Sequence, residues 1–409
     1  MDRQPPPGMS VYSCHPAHAR YIMRTTAHGK TNTWQNALKE LTVLEDSQPP
    51  RPRAMPADFY QNEQLTEQEI DQLFVQGWIC VGRADEVPKR GDYYTLEVFD
   101  EPLVVIRGDE DEIKVLSNVC RHRGSVVMQG SGNTRKLTCP YHKWTYALDG
   151  KLLAAPLLDS GEHAIDKKTC ALPDFRTTLW MGFIFINMDG KATAFEDHIV
   201  GLDPYVTNYH VEQMRTVQAG PEVWPVNWKC LAENFMEGYH LTPVHLNTLH
   251  PMTPTKLCEK IPGGAGYTGY KSHYSENFEG REPFHPDMTD EERNQSMMVW
   301  IYPAFVAAVS PNSTVFMSIT PKGPEELQTR WGVAAREELF DSEDASDAKA
   351  RYEFAASFNA EDKERLLDMQ RGLHSRFSGR GPLAPPDYEG TIWDFYHYVA
   401  GRLENPEAE

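Results

Sequence analysis

The side chains best suited to bind metal in this sequence come as two short pairs. Cys120 and His122 flank one residue, sixteen residues follow from Arg123 to Thr138, and Cys139 and His142 flank two more. Thiolate and imidazole hold zinc or the irons of an iron–sulfur cluster, and one pair on each of two loops can close on a metal from both sides. A structural zinc can use the same four ligands. The one-residue gap is tighter than zinc modules usually show, and each pair mixes one Cys with one His. Mixed pairs suit a [2Fe-2S] cluster with two cysteines on one iron and two histidines on the other.

A second concentration of ligand-type side chains runs from Asn227 to His245 and includes Asn234, Glu237, His240 and His245. On a helix Glu237 and His240, three apart, share a face. His240 and His245 lie about 140° out of phase at ~3.6 residues per turn, so both reach one metal if the helix breaks between them. Pro243 is placed to break it. Two neutral imidazoles with one carboxylate make the facial triad of non-haem Fe(II) oxygenases, which leaves positions open for dioxygen and substrate. Core or surface histidines give the same pattern, and His250 nearby is a decoy of that kind.

The elements that must position these residues are an α+β set. The first 50 or so residues show no sustained apolar period and end in Pro49-Pro50-Arg51-Pro52, an extension followed by a linker. Thr66 with Glu69 three residues on reads as a capping box, which predicts a helix from Thr66 to Gly77. From Trp78 to about Asp189 short β-prone runs recur between Gly, Asp and Pro turns: 78–81, 103–106, 114–116 and 182–186. Longer segments follow: a helix over 231–240, β-like runs over 298–309 and 313–319, and an amphipathic stretch from Ser346 to Leu373. The expected division is 1–52 extension and linker, 53–195 a small antiparallel β domain, and 196–409 an antiparallel sheet covered by helices.

Cys120-Arg121-His122-Arg123-Gly124 and Cys139-Pro140-Tyr141-His142-Lys143-Trp144 resemble the two cluster loops of Rieske non-haem iron oxygenases. The Asn227–His245 segment is similar to the iron-binding stretch of their alpha subunits, and the resemblance spans roughly Phe59 to Leu373. It implies a Rieske [2Fe-2S] domain beside a helix-grip catalytic domain. It implies Cys120, His122, Cys139 and His142 as cluster ligands, and His240 and His245 as ligands of a mononuclear Fe(II). It implies Glu237 as the acidic link to a neighbouring subunit's cluster histidine, and Asn234 as a polar residue near the iron. The third iron ligand is expected from the stretch around Asn359-Ala360-Glu361-Asp362-Lys363. Asp362 is chosen, with Glu361 as the alternative. A solvated helix face is the competing reading of these acids.

One cluster stores one electron and dioxygen activation needs two, so a separate reductase must resupply it from NAD(P)H. No dinucleotide fingerprint occurs in this chain. The family resemblance implies a homotrimer. The formal charge of −19, from 59 acidic and 40 basic residues, disfavours nucleic acid and anionic membrane as partners and leaves an acidic face for a basic protein. Without a long apolar run or an export-type h-region, and with an odd count of seven cysteines, the chain is expected to be soluble and cytoplasmic.

At the bridging position this chain has Glu237, one methylene longer than the aspartate common in ring-hydroxylating relatives, as in members that oxidise quaternary ammonium compounds such as carnitine. Trp300, Tyr302 and Phe305, with Tyr267, Tyr270 and Tyr274 from a Gly-rich loop, are candidate cation–π faces for a trimethylammonium head. The same side chains can instead line a flat aromatic pocket or fill the core. The expectation is hydroxylation of an N-methyl carbon, with collapse to formaldehyde and the demethylated amine. The alternatives are ring hydroxylation of an aromatic acid and, in another class, a non-catalytic iron–sulfur electron carrier, against which the His240/His245 pair stands.

Overall fold

The computed structural model describes residues 34–43, 52–160, 162, 164–280, 282–342 and 344–404. Of the expected extension and linker, residues 1–33 and 44–51 lie outside the described set, as does Cys14. Residues Trp34–Val43 form a helix inside the stretch expected to be an extension. Trp34, Ala37, Leu38 and Leu41 are its buried face, spaced three and four apart.

Two small antiparallel sheets carry the cluster loops. One orders Ile113–Ser117, Glu101–Arg107, Asp92–Val98 and Ser131–Asn133, and the other orders Leu137–Thr138, Thr145–Tyr146 and Leu152–Ala154. Val104, Ile106, Leu116, Leu137 and Tyr146 join Cys120, Cys139 and Trp144 in one core. Both cysteines are therefore fixed on their protein side by packing.

A third sheet orders Trp78–Arg83, Phe183–Asn187 and Arg176–Trp180. Its central strand is apolar on both faces, and alternation sends its residues to different cores. Phe183 and Phe185 meet Phe305, while Ile184 and Ile186 join the largest core with Phe74 and Trp228. The boundary expected after residue 195 falls inside the one-turn helix Phe195–His198, where Phe195 packs on Trp78 and Phe185.

The catalytic half is built on a seven-stranded antiparallel sheet. Its order is Arg215–Trp224, Glu326–Ala335, Ser313–Gly323, Phe305–Val309, Gln295–Ile301, Tyr267–His273 and Cys258–Lys260. The expected long helix runs over Ser346–Leu373, and Ala355, Phe358, Asn359, Asp362, Leu366 and Gln370 are its buried face. A C-terminal helix over Pro386–Glu404, not anticipated from the sequence, buries Ile392, Phe395, Tyr396, Val399 and Ala400 at the same spacing.

Three local expectations change. The helix predicted from Thr66 begins at Glu63, because Asn62 is the cap and its side chain accepts Leu65 N–H; Ile70–Val75 continues it as a wider, π-type turn. Glu69 does not cap anything: it is buried against Lys229 and Trp228 Nε1. Tyr267 and Tyr270 lie on a strand, not in a loop, and both are buried. The helix predicted over 231–240 runs instead over Trp228–Phe235 and stops before Glu237.

Candidate metal centres and active site

The Trp228–Phe235 helix is locked to its surroundings at its start. Asn227 caps it by accepting Lys229 N–H, donates to Pro324 O at 2.7 Å, and gives its own N–H to Gln370 Oε1 at 2.9 Å. That last bond ties the short helix to the long one. Asn234 at its far end then donates to Asp362 Oδ1 at 3.3 Å.

The chain leaves the helix at Met236, and the Glu237 carboxylate turns back to accept the N–H groups of Tyr239 and His240. Gly238 is required at the turn, since a β-carbon there would overlap Cys258 Sγ. A one-turn helix, Leu241–Val244, then separates His240 from His245. Glu237 and His240 therefore meet through a turn, not a shared helix face, and the break precedes His240 as well as following it. Pro243 sits inside the short helix.

These turns bring three ligand atoms together. Asp362 Oδ1 is 3.5 Å from His240 Nε2 and 3.1 Å from His245 Nε2. Carboxylates hold the other ring nitrogens: Glu237 Oε1 lies 2.5 Å from His240 Nδ1, and Glu361 Oε2 lies 2.7 Å from His245 Nδ1. Thr248 Oγ1 donates to the same Glu361 oxygen at 2.6 Å. With Nδ1–H held by a carboxylate, each neutral imidazole turns its Nε2 lone pair inward. His245 Nε2 is buried without a hydrogen-bond partner. An orphaned imidazole nitrogen facing a carboxylate and a second imidazole fits a divalent iron ligated by two His and one Asp. Burial pushes the His240 imidazole toward neutrality, but the Glu237 and Asp362 carboxylates outweigh it and raise its pKa. His250 turns away, with Nδ1 on Thr242 Oγ1.

A cavity opens from this triad. Its wall includes Phe235, Tyr270, Met298, Phe354 and Phe358, with Arg351, Ser310 and Asn312 among its polar residues. Trp300, Tyr302 and Phe305 do not line it, which corrects the expectation from the sequence. Trp300 shares a strand face with Ser296 and Met298, which do line it, but at that end of the sheet the C-terminal helix fills the space: Trp300 stacks on Phe395 at 4.4 Å and Tyr302 on Tyr398 at 4.4 Å. Phe305 packs against Phe183 and Phe185 in the core next door. The missed lining residues had a legible signal, since Arg351, Phe354, Ala355, Phe358 and Asp362 recur at three and four along one helix.

At the other centre, Cys120 and Cys139 are buried, and His122 and His142 face each other with Nδ1 atoms 3.1 Å apart. Trp144 stacks on His122 and Tyr141 lies over His142. Desolvation, then the neighbouring His122 and Arg123, push the His142 imidazole toward its neutral, metal-binding form. Tyr146 Oη lies 3.3 Å from Cys120 Sγ. Among the described residues, three or more ligand atoms come within 4.8 Å of one another at His240/His245/Asp362 and at His210/His285/Asp287, and not at the Cys/His four. His210 already hydrogen-bonds Glu212 and Asp287 at the surface. A tetrahedral zinc would need all four Cys/His atoms around one point, so a thiolate pair and a separate imidazole pair fit a two-iron cluster better.

Comparison with known proteins agrees with both centres. Residues 77–175 match the Rieske [2Fe-2S] domain, and residues 205–405 match the ring hydroxylating alpha subunit catalytic domain. The carnitine monooxygenase oxygenase subunit of Acinetobacter baumannii is 30% identical over 84% of this chain and 93% of its own length. The glycine betaine monooxygenase oxygenase subunit of Chromohalobacter salexigens is 36% identical over 49% of this chain and 44% of its own. A crystal structure of a quaternary ammonium Rieske monooxygenase in complex with L-carnitine superposes with a TM-score of 0.74, at 27% identity, covering 87% of this chain and 97% of that one. Among the described residues no helix is long and apolar enough to cross a membrane. The chain belongs to the Rieske non-haem iron oxygenases: it is an oxygenase (alpha) subunit, an oxidoreductase of one [2Fe-2S] cluster and one mononuclear iron, with the α+β fold of that family.

Proposed function

We propose that this oxygenase hydroxylates an N-methyl carbon of a quaternary ammonium, betaine-type substrate. The observation that carries the reading is the aromatic-walled cavity ending on His240, His245 and Asp362, which offers π faces to a desolvated cation. The kinship with carnitine and glycine betaine monooxygenase oxygenase subunits supports it. In this reading Cys120, Cys139, His122 and His142 hold the cluster and His240, His245 and Asp362 the iron. When bound, the iron activates dioxygen with electrons that the cluster delivers one at a time.

The chain's own residues prepare that chemistry. Glu237 and Glu361 fix the tautomers of His240 and His245, and Asn234 steadies the Asp362 carboxylate. The apolar wall strips water from the substrate's methyl groups and from the reacting face. The net reaction consumes dioxygen, two electrons and two protons, places one oxygen atom in an N-methyl C–H bond and releases water. The N-hydroxymethyl product breaks its N–C bond to give formaldehyde, the tertiary amine and a proton.

The reading includes a reductase that draws the two electrons from NAD(P)H, a cytoplasmic location, where reduced thiols such as Cys80, Cys230 and Cys258 persist, and a homotrimer in which Glu237 links His240 to a neighbouring subunit's cluster histidine. Tyr141, over half exposed, puts the cluster loop at the surface, where such a contact can form. The division into 1–52, 53–195 and 196–409 belongs to the same reading.

The test supplies purified protein, a surrogate reductase and NADH to a panel of trimethylammonium compounds and aromatic acids, then assays formaldehyde. Formaldehyde with the matching demethylated amine is expected. Hydroxylated ring products without formaldehyde would overturn the proposal.

A further inference from the structure

The long helix turns Arg351, Phe354, Ala355, Phe358 and Asp362 toward the cavity. Arg351 is the one lysine or arginine among the described residues that line it. It is half-buried, and among the described residues no carboxylate forms an ion pair with it. Among the described residues its side chain makes one hydrogen bond, a long one of 3.4 Å to Gly280 O. Burial holds its pKa below the usual guanidinium value, with Tyr274 and the Asp347 carboxylate one turn back on the helix opposing the shift. A partly desolvated charge without an ion-pair partner is costly, and an anion that arrives with the ligand lowers the cost.

Arg351 is the cationic donor of this part of the wall: Asn312 gives its amide hydrogens to Gly280 O at 2.8 Å and Glu282 O at 2.9 Å, Ser313 Oγ donates to Asn312 Oδ1 at 3.2 Å, and Ser310 Oγ pairs with Ser296 Oγ at 2.7 Å. Arg351 and Asp362 stand eleven positions apart on one continuous helix, so at ~1.5 Å per residue their Cα atoms are about 16 Å apart. Both side chains lean toward the helix N-terminus, which keeps their charged ends at a separation of the same order. Leu249, Met298, Phe354 and Phe358 supply apolar wall to the same cavity.

We infer that Arg351 binds a carboxylate at the end of the cavity remote from the iron ligands, so that the substrate is an elongated zwitterion with several methylenes between carboxylate and quaternary nitrogen. This rests on the N-demethylation reading and deepens it. An anchored carboxylate leaves the N-methyl groups as the far end of the molecule, beside His240, His245 and Asp362. A single methylene between the two charges is too short to satisfy both ends.

The test is anaerobic calorimetry on protein loaded with cluster and iron, where no turnover occurs. The probes are trimethylammonium carboxylates with one, three or five methylenes, butyltrimethylammonium, which lacks the carboxylate, and heptanoate, which lacks the ammonium. Wild type is expected to bind the three- or five-methylene probe at least ~10-fold more tightly than the one-methylene probe, and Arg351→Gln to weaken that binding ~10- to 100-fold while butyltrimethylammonium changes less than ~2-fold. Arg351→Lys should restore part of the loss. Equal weakening of butyltrimethylammonium, no change in Arg351→Gln, or no binding of any carboxylate probe by wild type would overturn the inference. Parallel formaldehyde assays separate the two readings. Arg351-dependent binding without formaldehyde from any probe sinks N-demethylation and keeps the anion site. Formaldehyde with an unchanged KM in Arg351→Gln does the reverse.

Discussion

Glu361 Oε2 lies 2.7 Å from His245 Nδ1, which leaves Nε2 of that ring for a metal. The next residue, Asp362, presents Oδ1 to that Nε2 at 3.1 Å. Two adjacent acids thus meet opposite nitrogens of one imidazole, and their substitutions should differ in kind. Asp362→Ala is expected to lose iron outright, and Glu361→Ala to weaken iron binding ~10- to 100-fold while keeping the site. Iron titration of each variant, with the cluster spectrum as a folding control, checks this. A heavier loss in Glu361→Ala would exchange their roles, and equal loss in both would remove the distinction between them.

Glu237 reaches His240 from the side opposite Asp362. Glu237→Gln keeps a hydrogen-bonding group of the same length and removes the charge. Both metals should stay bound while turnover slows at least ~10-fold, as expected where an orienting carboxylate acts through a ligand. Metal analysis with steady-state rates tests it, and unchanged turnover would remove the bridging role.

Tyr146 sits with its hydroxyl at Cys120 Sγ and also accepts Arg121 N–H. A hydrogen bond to a cluster sulfur favours the reduced, more negative state. Tyr146→Phe should retain the cluster and lower its reduction potential by tens of millivolts. A redox titration followed in the visible spectrum reads the shift, and an unchanged potential would mean that the hydroxyl serves only Arg121.

Glu233 is buried, accepts Tyr60 Oη at 3.0 Å, and is pushed up to about 8 by burial. Its folded pKa lies above the unfolded value, so between about 4.5 and 8 the folded state binds the extra proton. That contribution is complete below pH 4.5 and is lost as pH rises toward 8, at up to ~1.4 kcal/mol per pH unit. Glu233→Gln should flatten the fall in stability across this window. Denaturant unfolding at several pH values measures it, and equal slopes in both proteins would contradict the assignment.

The cluster loops and the His240/His245 pair were legible because ligand chemistry constrains residue type and spacing tightly. The Ser346–Leu373 helix was legible to its ends because its buried residues keep helical spacing throughout. The helix at Trp34 carries the same signal in only ten residues, where Pro-rich neighbours masked it. The stop after Phe235 depends on a carboxylate folding back onto two N–H groups and on the close approach of Cys258 to Gly238, contacts that no local pattern records. The pocket aromatics were misplaced for a related reason. Trp300 has the correct strand parity, but only the position of Phe395 decides whether that parity faces a ligand or a helix.

The central claim is that a quaternary ammonium methyl group is oxidised at the His240/His245/Asp362 site. A single-turnover experiment tests it most directly: protein loaded with cluster and iron is reduced chemically, freed of reductant, and exposed to dioxygen with a trimethylammonium carboxylate. Formaldehyde and the demethylated amine are expected in equal amounts, abolished in His245→Ala with the cluster spectrum intact. Oxidation of the cluster without either product across the trimethylammonium panel, or formaldehyde that persists in His245→Ala, would contradict it.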